Sequence, residues 1–362
     1  MFVIYVVLYR YVFCYLIIVA FYSCKSLRPC YSQMLESLRH ADEETCIEDA
    51  VIGSSSVVIF LKALNQFCGD IIKVQYEYKT FESRHLYEVT IEHNTPEIQR
   101  NQKPVIIIDA GMEGGADSTN FGLYIIEQLT ACKEYEEMIE KVRWVILPCV
   151  NPDGLEHDAF FVGIWRKNSR PSEERLGIGV DISRNFDSQW GSCPRVDSPF
   201  APNFPGLAPS SENETVFVKN TLNKYKKDAK IYLSIKRNGH AILFPYAYTK
   251  NQPSNHVQLE KITAEVASKV NQKAGGVHLF VNNSIYDFEG KPHCGHNVDF
   301  AHEMGIPLSF EMRVFLGYDN FIMSKFQALP RGYENSLRSG YFSGIREFYN
   351  VITNEKKYGR VY

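Results

Sequence analysis

The 362-residue sequence has no internal repeat and no low-complexity segment, which sets aside solenoid and fibrous architectures. It has no excess of either charge. With 39 basic and 42 acidic side chains, net −3, nothing points to nucleic acid or an anionic membrane as partner. No Cys-x-x-Cys pair occurs, so no structural zinc module is indicated. His-Glu-x-x-His and Gly-x-Ser-x-Gly are also absent, which argues against a zincin helix and an α/β-hydrolase elbow.

What is present is an ordinary globular composition, 45% hydrophobic and 22% charged, in a chain long for one domain and short for two. Only the first 24 residues depart from it. MFVIYVVLYRYVFCYLIIVAFYSC carries one charge, Arg10, and reads as a secretory signal peptide with its apolar region at 11–22. An uncleaved signal anchor is the alternative, since the stretch approaches membrane-spanning length. A polar lead-in is expected over 25–44, a domain over 45–350 and a tail over 351–362. Secretion fits the cysteines. Beyond Cys14 and Cys24 in the leader there are seven, an odd number, read as one or two disulfides plus free buried thiols. Sequons at Asn213 and Asn282 are candidate glycosylation sites.

Periodicity supplies the elements. SSSVVIFLKALNQF (54–67) has helical spacing, and segments 70–78 and 85–93 alternate like strands. PVIIID (104–109) is a continuous apolar run, as an inner strand covered on both faces requires. A helix over 120–135 and a buried strand over 143–151 follow, ending in a Pro152-Asp153-Gly154 turn. Residues 155–210 read mostly as loop. Helix 211–225 opens with Ser211 and Glu214 as a capping box, and strands 231–236 and 241–246 come next. Helix 258–275, strand 308–313 and helix 331–349 complete a single-domain α/β/α sandwich around a mixed, mostly parallel sheet.

DAGMEGGAD (109–117), between a buried strand and a helix, stands where α/β proteins often hold a ligand. It is no phosphate loop: the Walker lysine is missing, and Glu113 and Asp117 would repel phosphate. His85-x-x-Glu88 lies on an alternating strand, where positions i and i+3 face opposite sides. His293-Cys294-Gly295-His296, with His302 beyond, reads as a solvated loop because no partner pair with ligand spacing appears elsewhere.

Five pieces in order, ILPCVNPDG (146–154), WRKNSR (165–170) with GVDISRNFDSQWG (179–191), SENET, YLSIKRNGHAILFPYAYT (232–249) and SFEMR (309–313), resemble the zinc carboxypeptidases of the pancreatic A/B type. The resemblance implies a zinc held by His-x-x-Glu and a later histidine, polarising the scissile carbonyl, with a glutamate as general base. It places those ligands at Glu113, Ala116 and Lys236, with Gly115 where the family has a helper arginine. An ammonium and a methyl group offer a metal nothing, so zinc is expected to be absent and no cofactor replaces it. It also places the general base at Glu311, the substrate-carboxylate contacts at Arg166, Ser183 and Arg184, the closing tyrosine at Tyr286, and an apolar pocket wall at Val298.

The expected function is therefore a secreted, monomeric pseudo-peptidase that binds peptide or protein C-terminal carboxylates without cleaving them. The alternatives are an active metallocarboxypeptidase, for which His240 or His296 would have to converge on Glu311, and a partner-binding protein using another surface. Lys236 is expected to fill the metal's place and to pair with Glu113, Glu311 or both, since an unpaired buried charge is costly.

Overall fold

The computed structural model describes residues 24–41, 53–93, 103–160, 165–171, 178–194, 196–274, 279–315 and 333–358. Helices α1 (Pro29–Ala41) and α2 (Ser54–Phe67) precede the hairpin of β1 (Ile72–Lys79) and β2 (His85–Ile91). Next come β3 (Val105–Ala110), α3 (Ala116–Ala131), α4 (Glu136–Lys141) and β4 (Arg143–Leu147). Helices α5 (Pro152–Phe160) and α6 (Asn213–Tyr225) flank residues 161–212. The chain continues with β5 (Ala229–Arg237), β6 (Ala241–Phe244), α7 (His256–Ala274), β7 (Val281–Ser284) and α8 (Ile285–Glu289). It closes with α9 (Asn297–Glu303), β8 (Leu308–Val314), α10 (Tyr333–Thr353) and α11 (Glu355–Tyr358).

Eight strands form one sheet in the order β1-β2-β4-β3-β5-β8-β6-β7. β4, β3, β5 and β8 run parallel through its centre, β1, β2 and β6 join antiparallel, and β7 lies parallel to β6. The continuous apolar run of β3 is explained by two cores: Ile106, Ile108 and Ala110 face one, Val105 and Ile107 the other. On β5 and β8 the two-residue period sorts side chains differently. Ile231, Leu233, Ile235, Leu308, Phe310 and Met312 enter the first core. The opposite face carries Tyr232, Ser234, Lys236, Ser309, Glu311 and Arg313. Register sets Ser234 beside Glu311 and Lys236 beside Arg313, so the site residues gather at the C-terminal ends of the central strands.

Several expectations give way. The polar lead-in is part of the domain: Tyr31 and Met34 of α1 are buried in the first core. Among the described residues there are three disulfides instead of one or two, Cys24–Cys132, Cys30–Cys68 and Cys193–Cys294, with Cys149 buried and free. Cys24 was counted with the leader, yet removing it would leave Cys132 without its partner. The rest of the leader lies outside the described residues, as does Cys46. Among the described residues no helix is long and apolar enough to cross a membrane.

The capping box does not form. Glu212 is the N-cap of α6, Ser211 donates its hydroxyl to Glu212, and Glu214 is buried beside Asn168, which donates to it at 3.4 Å. Pro152-Asp153-Gly154 is the first turn of α5, where proline costs no hydrogen bond, and Asn151 Oδ1 accepts from the Gly154 amide at 2.8 Å. The tail reading also fails, since Val351 and Tyr358 pack in the first core.

Candidate functional site

The site begins where β5 and β8 end. Lys236 and Glu311 are 1% and 0% exposed, and the Lys236 ammonium stands 2.8 Å from Glu311 Oε2. His296, at the start of α9, brings Nε2 to 3.0 Å from the same oxygen and 2.9 Å from Lys236 Nζ. Arg313, two residues along β8 from Glu311 and so on the same face, donates from Nε to Glu311 Oε1 and from Nη2 to Glu289 Oε1 at 2.6 Å.

A second arm lies beside it. Arg166 Nη2 donates to Glu113 Oε1 at 2.9 Å. It also lies 3.7 Å from Asp181 Oδ2, the oxygen that Arg184 Nε approaches at 3.3 Å. Arg184 Nη2 meets His293 Nε2 at 2.9 Å. Ser183 is in the 3-10 turn Ile182–Arg184, whose N-cap is Asp181, and its hydroxyl donates to Asp181 Oδ1 at 2.7 Å. The two arginines and the serine are thus brought together, each already engaged from inside the chain.

Gly115 and Ala116 open α3, and Gly115 has φ 77°. A Cβ at Gly115 would stand 2.4 Å from Arg237 Nη1, so the glycine makes room for that guanidinium. Arg237, from the end of β5, donates to Asp158 and to the Trp165 carbonyl.

The electrostatics follow from burial opposed by close opposite charge. Burial pushes the Glu113 carboxyl up, but Arg166, Arg313 and Lys236 outweigh it and bring it to about 2. Burial also opposes ionisation of Glu311, and Arg313 and Lys236 overcome it, holding Glu311 well below the usual carboxylate range. His296 is lowered to about 4, by burial and then by Lys236, and His293 to about 2, by burial and then by Arg184. Both imidazoles are neutral at pH 7. The cations Arg166, Arg184, Lys236, Arg237 and Arg313 are balanced by Glu113, Asp158, Asp181, Glu289 and Glu311. Beneath them Tyr232 and Ser234 donate to Asp109, and Asn297 donates to the Tyr232 hydroxyl at 2.8 Å.

Lys236 pairs with Glu311 as expected, whereas Glu113 pairs with Arg166. His296 does converge on Glu311. His240 does not, because its Nδ1 is 2.6 Å from the Tyr341 hydroxyl. The stretch around His293 and His296 is buried, so the solvated-loop reading is wrong. The Cys193–Cys294 disulfide fixes it, and Gly295 passes where any Cβ would stand 2.1 Å from the Arg184 carbonyl oxygen. Tyr286, on α8, packs under Lys250 at 5.7 Å, and its hydroxyl makes no hydrogen bond among the described residues. Val298 is buried in the second core. Asn213 is exposed at the start of α6 with its amide on the Lys79 carbonyl at 3.0 Å, and Asn282 lies half-buried on β7.

Arg313, Asp181 and Arg237 are absent from the sequence reading, and His296 enters it only under the alternative of an active enzyme. Arg313 could have been found from its two-residue spacing to Glu311. Nothing in the sequence signals that Arg237 would lie over Gly115. No three His, Cys, Asp or Glu ligand atoms gather in this cleft among the described residues.

The zinc carboxypeptidase family profile matches residues 57–337, and the chain belongs to that family. Among individual proteins it is similar to human mast cell carboxypeptidase A, 30% identical over 181 residues covering 49% of this chain and 42% of that protein. It is also similar to carboxypeptidase B of Helicoverpa zea, 27% identical over 275 residues covering 72% of this chain and 62% of that one. The matches therefore span less than two thirds of either relative. Its fold is that of bovine thrombin-activatable fibrinolysis inhibitor, solved with tick carboxypeptidase inhibitor (TM-score 0.72, 20% identity, 84% of this chain and 98% of that one). Carboxypeptidase A of Helicoverpa armigera gives 0.71 at 22% identity, covering 89% and 80%.

Proposed function

We propose that this chain is a carboxypeptidase A/B-like protein that does not hydrolyse peptides, with Lys236 in the place its relatives give to a zinc ligand. The observation that carries this is the buried Lys236 ammonium, 2.8 Å from Glu311 and 2.9 Å from His296. The donors do not fit zinc. At the three ligand positions Lys236 is an ammonium, Ala116 has no donor atom, and Glu113 is held by Arg166. Glu311, the general-base position, is committed to Lys236 and Arg313.

Arg166 and Arg184 reach the same Asp181 oxygen, which supports a retained anion site for a peptide C-terminus, since paired guanidiniums suit carboxylates. Ser183 would support that contact and Tyr286 would close over it. The protein is read as a secreted monomer, glycosylated at Asn213 and Asn282. One observation favours partner binding through another surface instead: Glu113, Asp181 and His293 already occupy both arginines.

The test is incubation of the purified protein with C-terminally varied peptides and added zinc. No release of C-terminal residues is expected, and release at a relative's rate would sink the proposal in favour of an active enzyme. If the cleft still binds chain ends, Arg184→Ala abolishes peptide binding. Unchanged binding points to the other surface.

A further inference from the structure

A different cluster lies at the other end of the parallel strands. His93 follows β2 next to the start of β4, since Ile91 pairs with Trp144. Its amide donates to the Ile139 carbonyl of α4 at 2.9 Å. Glu136 and Glu140 are one turn apart on α4, on the same face. One ligand atom from each of His93, Glu136 and Glu140 lies within 4.8 Å of the other two, and all three residues are half-buried.

We propose that His93, Glu136 and Glu140 bind one divalent cation of the zinc class. The donor set is imidazole nitrogen with carboxylate oxygen, which suits zinc and cobalt better than the all-oxygen preference of calcium and magnesium. The ligands are held in place before any ion arrives. Lys103 donates to the carbonyls of His93 and Ile139, tying the end of β2 to the helix that carries both glutamates. Arg28 holds Glu136 Oε2 at 2.8 Å, which orients that carboxylate and leaves Oε1 toward His93 Nδ1, 2.6 Å away. Arg28 is itself fixed by the Leu129 and Thr130 carbonyls. Glu140 makes no ion pair or hydrogen bond among the described residues, so one carboxylate remains for the ion. Three protein ligands leave a coordination position open to water or to an exchangeable ligand.

The test uses the metal-free full chain titrated with cobalt, read by visible absorption, and with zinc in competition. One ion per chain is expected, with a rise in Tm on zinc addition because only the folded state assembles the site. His93→Gln and Glu140→Gln should each weaken binding by about tenfold or more and remove the Tm rise. Glu137→Gln, one residue off that face and paired with Lys141, should change neither. No binding by the wild type, or binding that survives both ligand substitutions, overturns the proposal. The reading of the cleft stands or falls separately.

Discussion

Two titratable clusters stand at opposite ends of the same parallel strands, and they balance charge in opposite ways. At the C-terminal ends every carboxylate of the cleft meets a guanidinium or an ammonium from the chain itself. Around His93 only one of two glutamates is so paired, and Glu140 has the field of Lys103 but no ion pair or hydrogen bond among the described residues. The first cluster is deeply buried, where an uncompensated charge is expensive and each cation must be answered. The second is half-exposed, where water tolerates a bare carboxylate and an ion from solvent can take it. Substitution should therefore cost much stability at the first and little at the second.

The largest effect is expected at Glu311. Glu311→Gln leaves Lys236 and Arg313 facing a neutral amide and should lower unfolding free energy by roughly 3–5 kcal/mol in a urea titration. Lys236→Met added to it should recover part of that loss, because removing both charges is cheaper than stranding one. Additive losses would show that the two side chains do not act as a pair.

An intermediate effect belongs to His296 and depends on pH. Its folded value, about 4, lies below the ordinary 6.5, so on acidification the unfolded chain takes up the proton first. The stability that His296 contributes is thus present above about pH 6.5 and is lost as pH falls toward 4. The gap between wild type and His296→Asn should narrow with acidification, at up to about 1.4 kcal/mol per pH unit. A gap that stays constant, measured by urea unfolding across that range, would place the imidazole outside the buried network.

The smallest effect is expected at the other cluster, where Glu140→Gln should change stability in metal-free buffer by no more than about 0.5 kcal/mol. A loss as large as that of Glu311→Gln would erase the distinction between the two ends.

Much of the scaffold was legible because its inner strands are buried on both faces. VIIIDA announces itself as an apolar run, and SFEMR, whose polar residues alternate with apolar ones, is placed by the resemblance. Glu311 was legible as one of two partners for Lys236, since the resemblance puts both at the metal's place and an unpaired buried charge is costly. What escaped was set by tertiary contacts with no local trace. His296 meets Lys236 from 60 residues away, and Glu113 pairs with Arg166 from 53 residues away. The α1 segment reads as polar, yet it is held by disulfides to Cys68 and Cys132, whose pairing no spacing reveals.

The central claim is that a lysine ammonium stands where the family's chemistry would need a metal. Crystals of the full protein grown with excess zinc, measured on both sides of the zinc absorption edge, test it most directly. No anomalous peak is expected among Glu113, Lys236, His296 and Glu311, with Lys236 Nζ in hydrogen-bond contact with Glu311. An anomalous peak between Glu311 and His296, with Lys236 turned away, would contradict it.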